Sequence, residues 1–247
     1  MPAELYLDLM KRILTNVIYQ DPPQAVDWHP GREYDQERRS AGLDWPSVAH
    51  TMVGLERLDN LQSCVERVIA DGVPGDLIET GVWRGGVTIF MRALLAAYGE
   101  KDRTVWVADS FEGIPDSSAG HPRDREIALD RFNDVLAVPQ AEVEENFRRY
   151  GLLDDQVRFL AGWFDATLPR APIERLAVLR LDGDLYGSTR DALVNLYPKL
   201  SAGGFVIIDD YRISACRQAV HDYREAQDIT DEIVPIDAWG VYWRRTS

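Results

Sequence analysis

Two stretches constrain this chain more than any others: Leu176-Ala177-Val178-Leu179-Arg180-Leu181-Asp182-Gly183-Asp184-Leu185-Tyr186 and Gly204-Phe205-Val206-Ile207-Ile208-Asp209-Asp210-Tyr211. Each is a short apolar run ended abruptly by aspartates and followed by residues able to open a helix. That is the pattern of a buried parallel strand delivering carboxylates to its C-terminal edge. Open α/β sheets bind ligands at that edge. Laid side by side, the two strands would gather Asp182, Asp209 and Asp210 in one crevice, where three carboxylates repel unless a positive charge lies between them. A hard divalent cation held by oxygen ligands, Mg²⁺, meets that requirement. Paired aspartates at a strand end can also be a helix N-cap with a solvated neighbour; the third carboxylate on the adjoining strand is what favours the metal.

Upstream, Asp76-Leu77-Ile78-Glu79-Thr80-Gly81-Val82-Trp83-Arg84-Gly85-Gly86 runs from a strand through a glycine turn into an apolar helix. Such a turn lets a nucleotide-like ligand approach the backbone, although glycines also occur there for packing. The spacing Gly81-x-x-x-Gly85-Gly86 departs from G-x-G-x-x-G, which disfavours a nicotinamide dinucleotide. Glu79 would repel a diphosphate but could accept hydrogen bonds from a cationic or hydroxyl-bearing ligand. A ligand with a sulfonium and an ammonium and no phosphate suits this turn better. The next strand, residues 104–108, ends at Asp109, which is placed to take both hydroxyls of a ribose; the plainer alternative is a solvated strand-end aspartate. A third strand, residues 157–160, leads to Trp163 and Phe164, which either flank an adenine face or simply pack.

Around this centre the chain alternates helices and strands. Leu5, Leu9, Ile13 and Val17, with Tyr6, Met10, Leu14 and Ile18 beside them, predict an amphipathic helix for core or dimer packing. Residues 20–46 are polar, punctuated by Pro22, Pro23, Pro30 and Gly31, and carry Trp28, Tyr34 and Trp45; they are either a disordered excursion or a lid. A helix is expected over residues 53–70. A second excursion, residues 112–139, is too polar for core and could close over a ligand. Further helices are expected from Pro139 to Tyr150, over residues 188–200 with Ser201-Ala202-Gly203-Gly204 as its stop, and over residues 216–226. A closing hairpin of residues 232–236 and 240–244 completes a seven-stranded, mostly parallel α/β sheet. His50, His121 and His221 are possible bases, but no spacing links any two of them, and His221 on its helix reads as structural.

At 247 residues the chain suits one domain with decorations, residues 1–75 being helices and lid belonging to the same domain as a core at 76–247. Lys and Arg total 27 against 41 Asp and Glu, and the net charge of -14 repels nucleic-acid backbones and anionic lipid surfaces alike. Cys64 and Cys216 are too few and too far apart for a disulfide framework, and nothing resembles a signal peptide or an apolar membrane span. The expected compartment is the cytoplasm.

Several runs together carry a family likeness: AHTM at 49–52, DLIETGVWRGG at 76–86, RTVWVADSF at 103–111, RYGLLDDQV at 149–157, AVLRLDGDLY at 177–186, GGFVIIDDY at 203–211, ACRQAVHDY at 215–223 and GVYWR at 240–244. In these the sequence resembles the macrocin O-methyltransferase family, enzymes that use S-adenosylmethionine to methylate sugar hydroxyls of macrolide and aminocoumarin antibiotics. The resemblance implies a Rossmann-like class I methyltransferase fold with a C-terminal antiparallel hairpin and an N-terminal helical extension. It implies Mg²⁺ held by Asp182, Asp209 and Asp210, with Asp182 also the general base. Glu79, Gly81, Asp109 and Ser110 would line the cofactor, and Thr51 and Met52 would close over its methionine end. The acceptor would be a glycosylated small molecule, such as an aminocoumarin bearing noviose or a macrolide sugar, with the N-terminal helix contributing to a homodimer. Residues 21–42 depart from the family's pattern.

Overall fold

The computed structural model describes residues 2–27, 31 and 33–246. Among them, seven strands form one sheet: β1 (Asp76–Thr80), β2 (Val105–Asp109), β3 (Val157–Ala161), β4 (Leu176–Leu181), β5 (Leu200–Ile208), β6 (Val234–Pro235) and β7 (Val241–Arg244). Their order is β3-β2-β1-β4-β5-β7-β6. The first five are mutually parallel, and β7 runs antiparallel to both β5 and β6. The expected seven-stranded sheet with its terminal hairpin is therefore present.

Helices α1 (Pro2–Leu14), α2 (Gln36–Ser40) and α3 (Leu55–Ala70) precede the sheet, and α4 (Gly86–Tyr98) joins β1 to β2. Between β2 and β3 lie α5 (Pro122–Ile127), α6 (Asn133–Leu136) and α7 (Gln140–Arg149). The short α8 (Phe164–Thr167) follows β3, α9 (Tyr186–Leu196) joins β4 to β5, and α10 (Ser214–Ala226) follows β5. Residues alternate across the sheet. Leu77 and Val178 join one apolar cluster with Leu7, Leu61, Phe90 and Phe147, while their neighbours Ile78 and Leu179 join another with Leu193, Val220 and Trp243. Because helices cover both faces, all six residues of β4 are buried, which is why the strand reads as an apolar run interrupted only by Arg180.

The chain leaves β1 toward β2 through α4 and leaves β4 toward β5 through α9, in opposite directions. The point where the order reverses opens a crevice at the carboxyl ends of β1 and β4. Register then fixes what stands there. Thr80 pairs with Leu181 and Leu181 with Ile208, so the next residues, Asp182 and Asp209, emerge together. Asp182 N–H donates to the Thr80 carbonyl and Asp209 N–H to the Leu181 carbonyl, each at 2.9 Å.

Several boundaries differ from the sequence-based expectation. The first helix stops at Leu14, so Val17 and Ile18 lie outside it. Asn16 and Gln20 adopt positive φ of 53° and 59°, and the Asn16 amide donates to Asp21 at 2.7 Å, turning the chain. The run 201–204 is not a helix stop but part of β5, since Gly203 and Gly204 exchange backbone hydrogen bonds with Arg245 and continue the ladder. The described part of residues 20–46 is tied down: Pro23 bridges Pro46, and Arg39, 1% exposed, pairs with Asp21 at 2.7 Å and Asp44 at 2.8 Å. Trp28 and Pro30, singled out in the sequence, lie outside the described residues. The segment at 112–138 folds into short helical turns, and its Ser117, Asp124, Phe132 and Val138 are buried, contrary to the expectation that it is too polar for core.

Candidate active site

The turn after β1 forms one wall of the crevice. Gly81 has φ 85°, and a Cβ on it would sit 1.7 Å from the Asp182 carbonyl oxygen, so only glycine lets β1 and β4 approach this closely. Gly85, at φ 84°, caps the start of α4. Asp109, at the end of β2, clasps this turn. One carboxylate oxygen accepts from Val82 N–H at 2.7 Å and the other from Phe111 N–H at 2.8 Å. A carboxylate has about four acceptor directions, so these bonds leave capacity for a ligand. Burial raises the Asp109 pKa against the lowering effect of those N–H donors. The Ser110 hydroxyl donates to the Gly113 carbonyl at 2.9 Å and holds the following turn. Thr51 is buried, its hydroxyl accepting from Val53 N–H at 3.1 Å, and Met52 beside it is half-buried. Trp163 is 37% exposed at the start of α8, whereas Phe164 packs partly into the core.

At the ends of β4 and β5, ligand oxygens of Asp182, Asp209 and Asp210 lie within 4.8 Å of one another. Two arginines that the sequence did not single out set this cluster. Arg180 is the one charged residue of β4 and is 1% exposed. A guanidinium buried that deeply requires anionic partners. It donates to Asp182 at 2.8 Å and also to Glu79 and Asp209. Arg57, from α3, donates to Asp209 and pairs with Asp237 at 3.0 Å. Asp209 is thus held on both oxygens, while Asp182 keeps 25% of its side chain exposed toward the crevice. Arg180 could have been noticed as a cation interrupting an apolar strand; Arg57 carried no such signal.

Positive charge here falls short of the carboxylates. Burial first, then the neighbouring charge of Asp209, raises the Asp182 pKa in spite of Arg180. Burial together with Asp184, Asp182 and Asp209 pushes Asp210 well above the usual carboxylate range. Asp184, a further carboxylate not anticipated as part of the site, is pushed up to about 7 by burial and by Asp182 and Asp209. Glu79 is 1% exposed and pushed up to about 8, chiefly by burial, although Arg180 opposes the shift. Its Oε2 is buried with no hydrogen-bond partner. Such a cluster is short of a cation, and its donors are all oxygen, the set suited to a hard divalent ion.

All eleven singled-out residues, from Thr51 to Asp210, line one cavity of about 1090 Å³. That slightly exceeds the roughly 300–1,000 Å³ of ordinary single-ligand pockets, enough for two ligands to meet. Leu43, Trp45, Leu129, Leu136 and Trp239 also line it, so both excursions contribute walls. Of the histidines, His121 reaches the cavity. His50 instead bonds the Tyr150 hydroxyl at 2.7 Å, and burial with the charges of Arg84 and Arg149 lowers its pKa to about 4. His221 bonds the Tyr211 hydroxyl at 2.8 Å.

A sheet of this order with a glycine turn after β1, an acidic residue closing β2 and an antiparallel final strand defines a class I methyltransferase, a fold whose methyl donor is S-adenosylmethionine. The solved O-methyltransferase NovP superposes with a TM-score of 0.95 at 57% identity, covering 99% of this chain and 100% of that one. The macrocin-O-methyltransferase (TylF) family matches residues 3–245, and this chain belongs to it. It is 66% identical to the 8-demethyl-8-(2,3-dimethoxy-alpha-L-rhamnosyl)-tetracenomycin-C 4'-O-methyltransferase of Streptomyces olivaceus, over 99% of this chain and 94% of that protein. It is 58% identical to the mycinamicin III 3''-O-methyltransferase of Micromonospora griseorubida, over 99% and 98% respectively. The chain is an O-methyltransferase.

Proposed function

We propose that this enzyme methylates a hydroxyl of a deoxysugar carried by a glycosylated natural product, a reading supported by its 66% identity to a 4'-O-methyltransferase of a rhamnosyl-tetracenomycin. The observation that carries the reading is the convergence of Asp182, Asp209 and Asp210 within 4.8 Å in the cavity that also holds Gly81 and Asp109. Asp182, Asp209 and Asp210 would hold Mg²⁺, which when bound supplies Lewis-acid polarisation of the acceptor oxygen. S-adenosylmethionine supplies the electrophilic methyl group.

The chain's own residues do the rest. A sugar hydroxyl is a poor nucleophile until its proton leaves, and Asp182 takes that proton on a carboxylate kept in place by Arg180. Arg57 and Arg180 hold Asp209 from both sides, so the carboxylates keep their spacing. Asp109 accepts from the ribose hydroxyls, Trp163 and Phe164 flank the adenine, and Gly81 and Ser110 shape the turn around it. Glu79, with one oxygen unpartnered, offers an acceptor to the cationic end of the cofactor, over which Thr51 and Met52 close. Residues 20–46 and 112–138 act as lids that exclude water and orient the acceptor. Residues 1–75 form part of the same domain, and the enzyme works in the cytoplasm as a homodimer.

The test is methyl transfer from labelled S-adenosylmethionine to noviosylated coumarins, rhamnosylated aromatic polyketides, deoxysugar macrolides and simple catechols, each with Mg²⁺ and with EDTA. Transfer to a glycoside, abolished by EDTA and restored by Mg²⁺, is the expected result. Transfer indifferent to EDTA removes the metal, and transfer confined to catechols, or to none of the panel while the cofactor still binds, overturns the acceptor class.

A further inference from the structure

We infer that Asp124, in the segment between β2 and β3, is a positioning residue for the loop that bears Asp182, because its carboxylate caps α9 and thereby joins the seating of residues 112–138 to the placement of residues 182–185. Helix α9 starts at Tyr186, four residues beyond Asp182, and the residue before it, Leu185, provides no side-chain cap. The N–H groups of a helix's first turn have no partner within the helix and must find one elsewhere. Asp124, 62 residues earlier, provides it: one oxygen accepts from Tyr186 N–H at 2.7 Å and the other from Gly187 N–H at 3.3 Å. Asp124 is only 2% exposed, and a carboxylate so desolvated is tolerable because these donors and the positive end of α9 compensate it.

Two further contacts place the same junction. The His121 ring stacks on the Tyr186 ring at 3.9 Å and 15°, while its Nδ1 accepts from Arg123 N–H at 3.3 Å and caps α5. From the other side, the Tyr186 hydroxyl donates to Asp222 on α10 at 3.0 Å. The loop itself does not hold its shape unaided. Asp184 sits at φ 54°, a left-handed conformation that a non-glycine residue adopts at a cost, and the loop is held there by the Asp184 N–H bond to Asp210 at 3.2 Å and by its two anchored ends. One end is the Asp182 N–H bond to Thr80, and the other is the Asp124 cap. Asp124 and His121 also line the cavity, so when their segment covers it the same carboxylate fixes the loop opposite. Asp124 acts on the reaction through Asp182 and need not touch substrate.

The inference rests on the proposed role of Asp182, but part of its test does not. Asp124→Ala, Asp124→Asn and His121→Ala are made in the full chain with S-adenosylhomocysteine bound. Amide exchange is followed by mass spectrometry over residues 112–138 and 183–190, alongside methyl-transfer kinetics. Asp124→Ala is expected to speed exchange in both segments together and to lower kcat about tenfold or more, as misplacing a reacting group does. The KM for S-adenosylmethionine should change by less than about twofold, since cofactor binding is not what is lost. Asp124→Asn keeps one acceptor oxygen but turns an NH2 donor toward the second N–H, so it should recover both readouts only in part. His121→Ala should loosen residues 112–138 alone; loosening both segments would move the coupling from the carboxylate to the stack. Unchanged exchange at 183–190 in Asp124→Ala, a kcat within about twofold of the parent, or losses in Asp124→Asn as large as those in Asp124→Ala would each overturn the inference. Coupled exchange in a chain that methylates no glycoside would leave the cap in place and overturn the proposed acceptor instead.

Discussion

Asp182 is held by Arg180 at 2.8 Å yet keeps a quarter of its side chain toward the cavity, the placement a proton acceptor needs. Asp182→Asn keeps the size of the side chain and removes its basicity. Turnover should fall at least about a hundredfold, the scale of a lost general base. Affinity for S-adenosylmethionine, measured by calorimetry, should stay within about threefold, because Asp109 and the glycine turn remain. Nearly normal turnover would take Asp182 out of the base role. At this scale the acidic half of the site was legible, because aspartates that end apolar strands are conspicuous. The basic half was not. Arg57 reaches Asp209 from 152 residues away, and nothing in the surroundings of Arg57 along the chain marks it as a partner.

The turn after β1 passes close against the residue that follows β4. Gly81 and Gly72 both have positive φ, 85° and 63°, but a Cβ on Gly81 would meet the Asp182 carbonyl at 1.7 Å whereas one on Gly72 would meet nothing within 4 Å. Gly81→Ala must displace one strand end, so a loss of roughly 2–3 kcal/mol or more is expected in urea unfolding, with cofactor binding weakened tenfold or more. Gly72→Ala bears only the left-handed penalty of about 1–2 kcal/mol and should bind cofactor normally. Equal behaviour of the two variants would show that backbone conformation, not the close approach, explains Gly81. The glycine itself was readable from the sequence as a turn, but the identity of what it approaches depended on β1 and β4 being neighbours.

Across the whole molecule, α1 buries Leu7, Met10 and Leu14 but leaves Leu5 73% and Leu9 47% exposed, an apolar outer stripe. A second copy of the chain is the expected cover, so light scattering after size exclusion should give a dimer, and a Leu5→Glu, Leu9→Glu double variant should give a monomer. A monomeric parent chain at micromolar concentration would remove the dimer, and a double variant that stays dimeric would place the interface on another face. No helix among the described residues is long and apolar enough to cross a membrane. The sequence by itself determined the strands, the glycine turn and the aspartates at the strand ends. Those features follow from neighbours a few residues apart, since a strand covered on both faces is mostly apolar, carries charge only where a buried partner meets it as Arg180 meets Glu79, and stops where unpaired charge begins. Only the tertiary structure decided that β1 lies between β2 and β4, that Arg57 and Arg180 share Asp209, and that Asp124 caps a helix 62 residues further on. A buried charge or an uncapped N–H is indifferent to where in the chain its partner comes from, so these pairings exist only once the sheet has brought distant segments together.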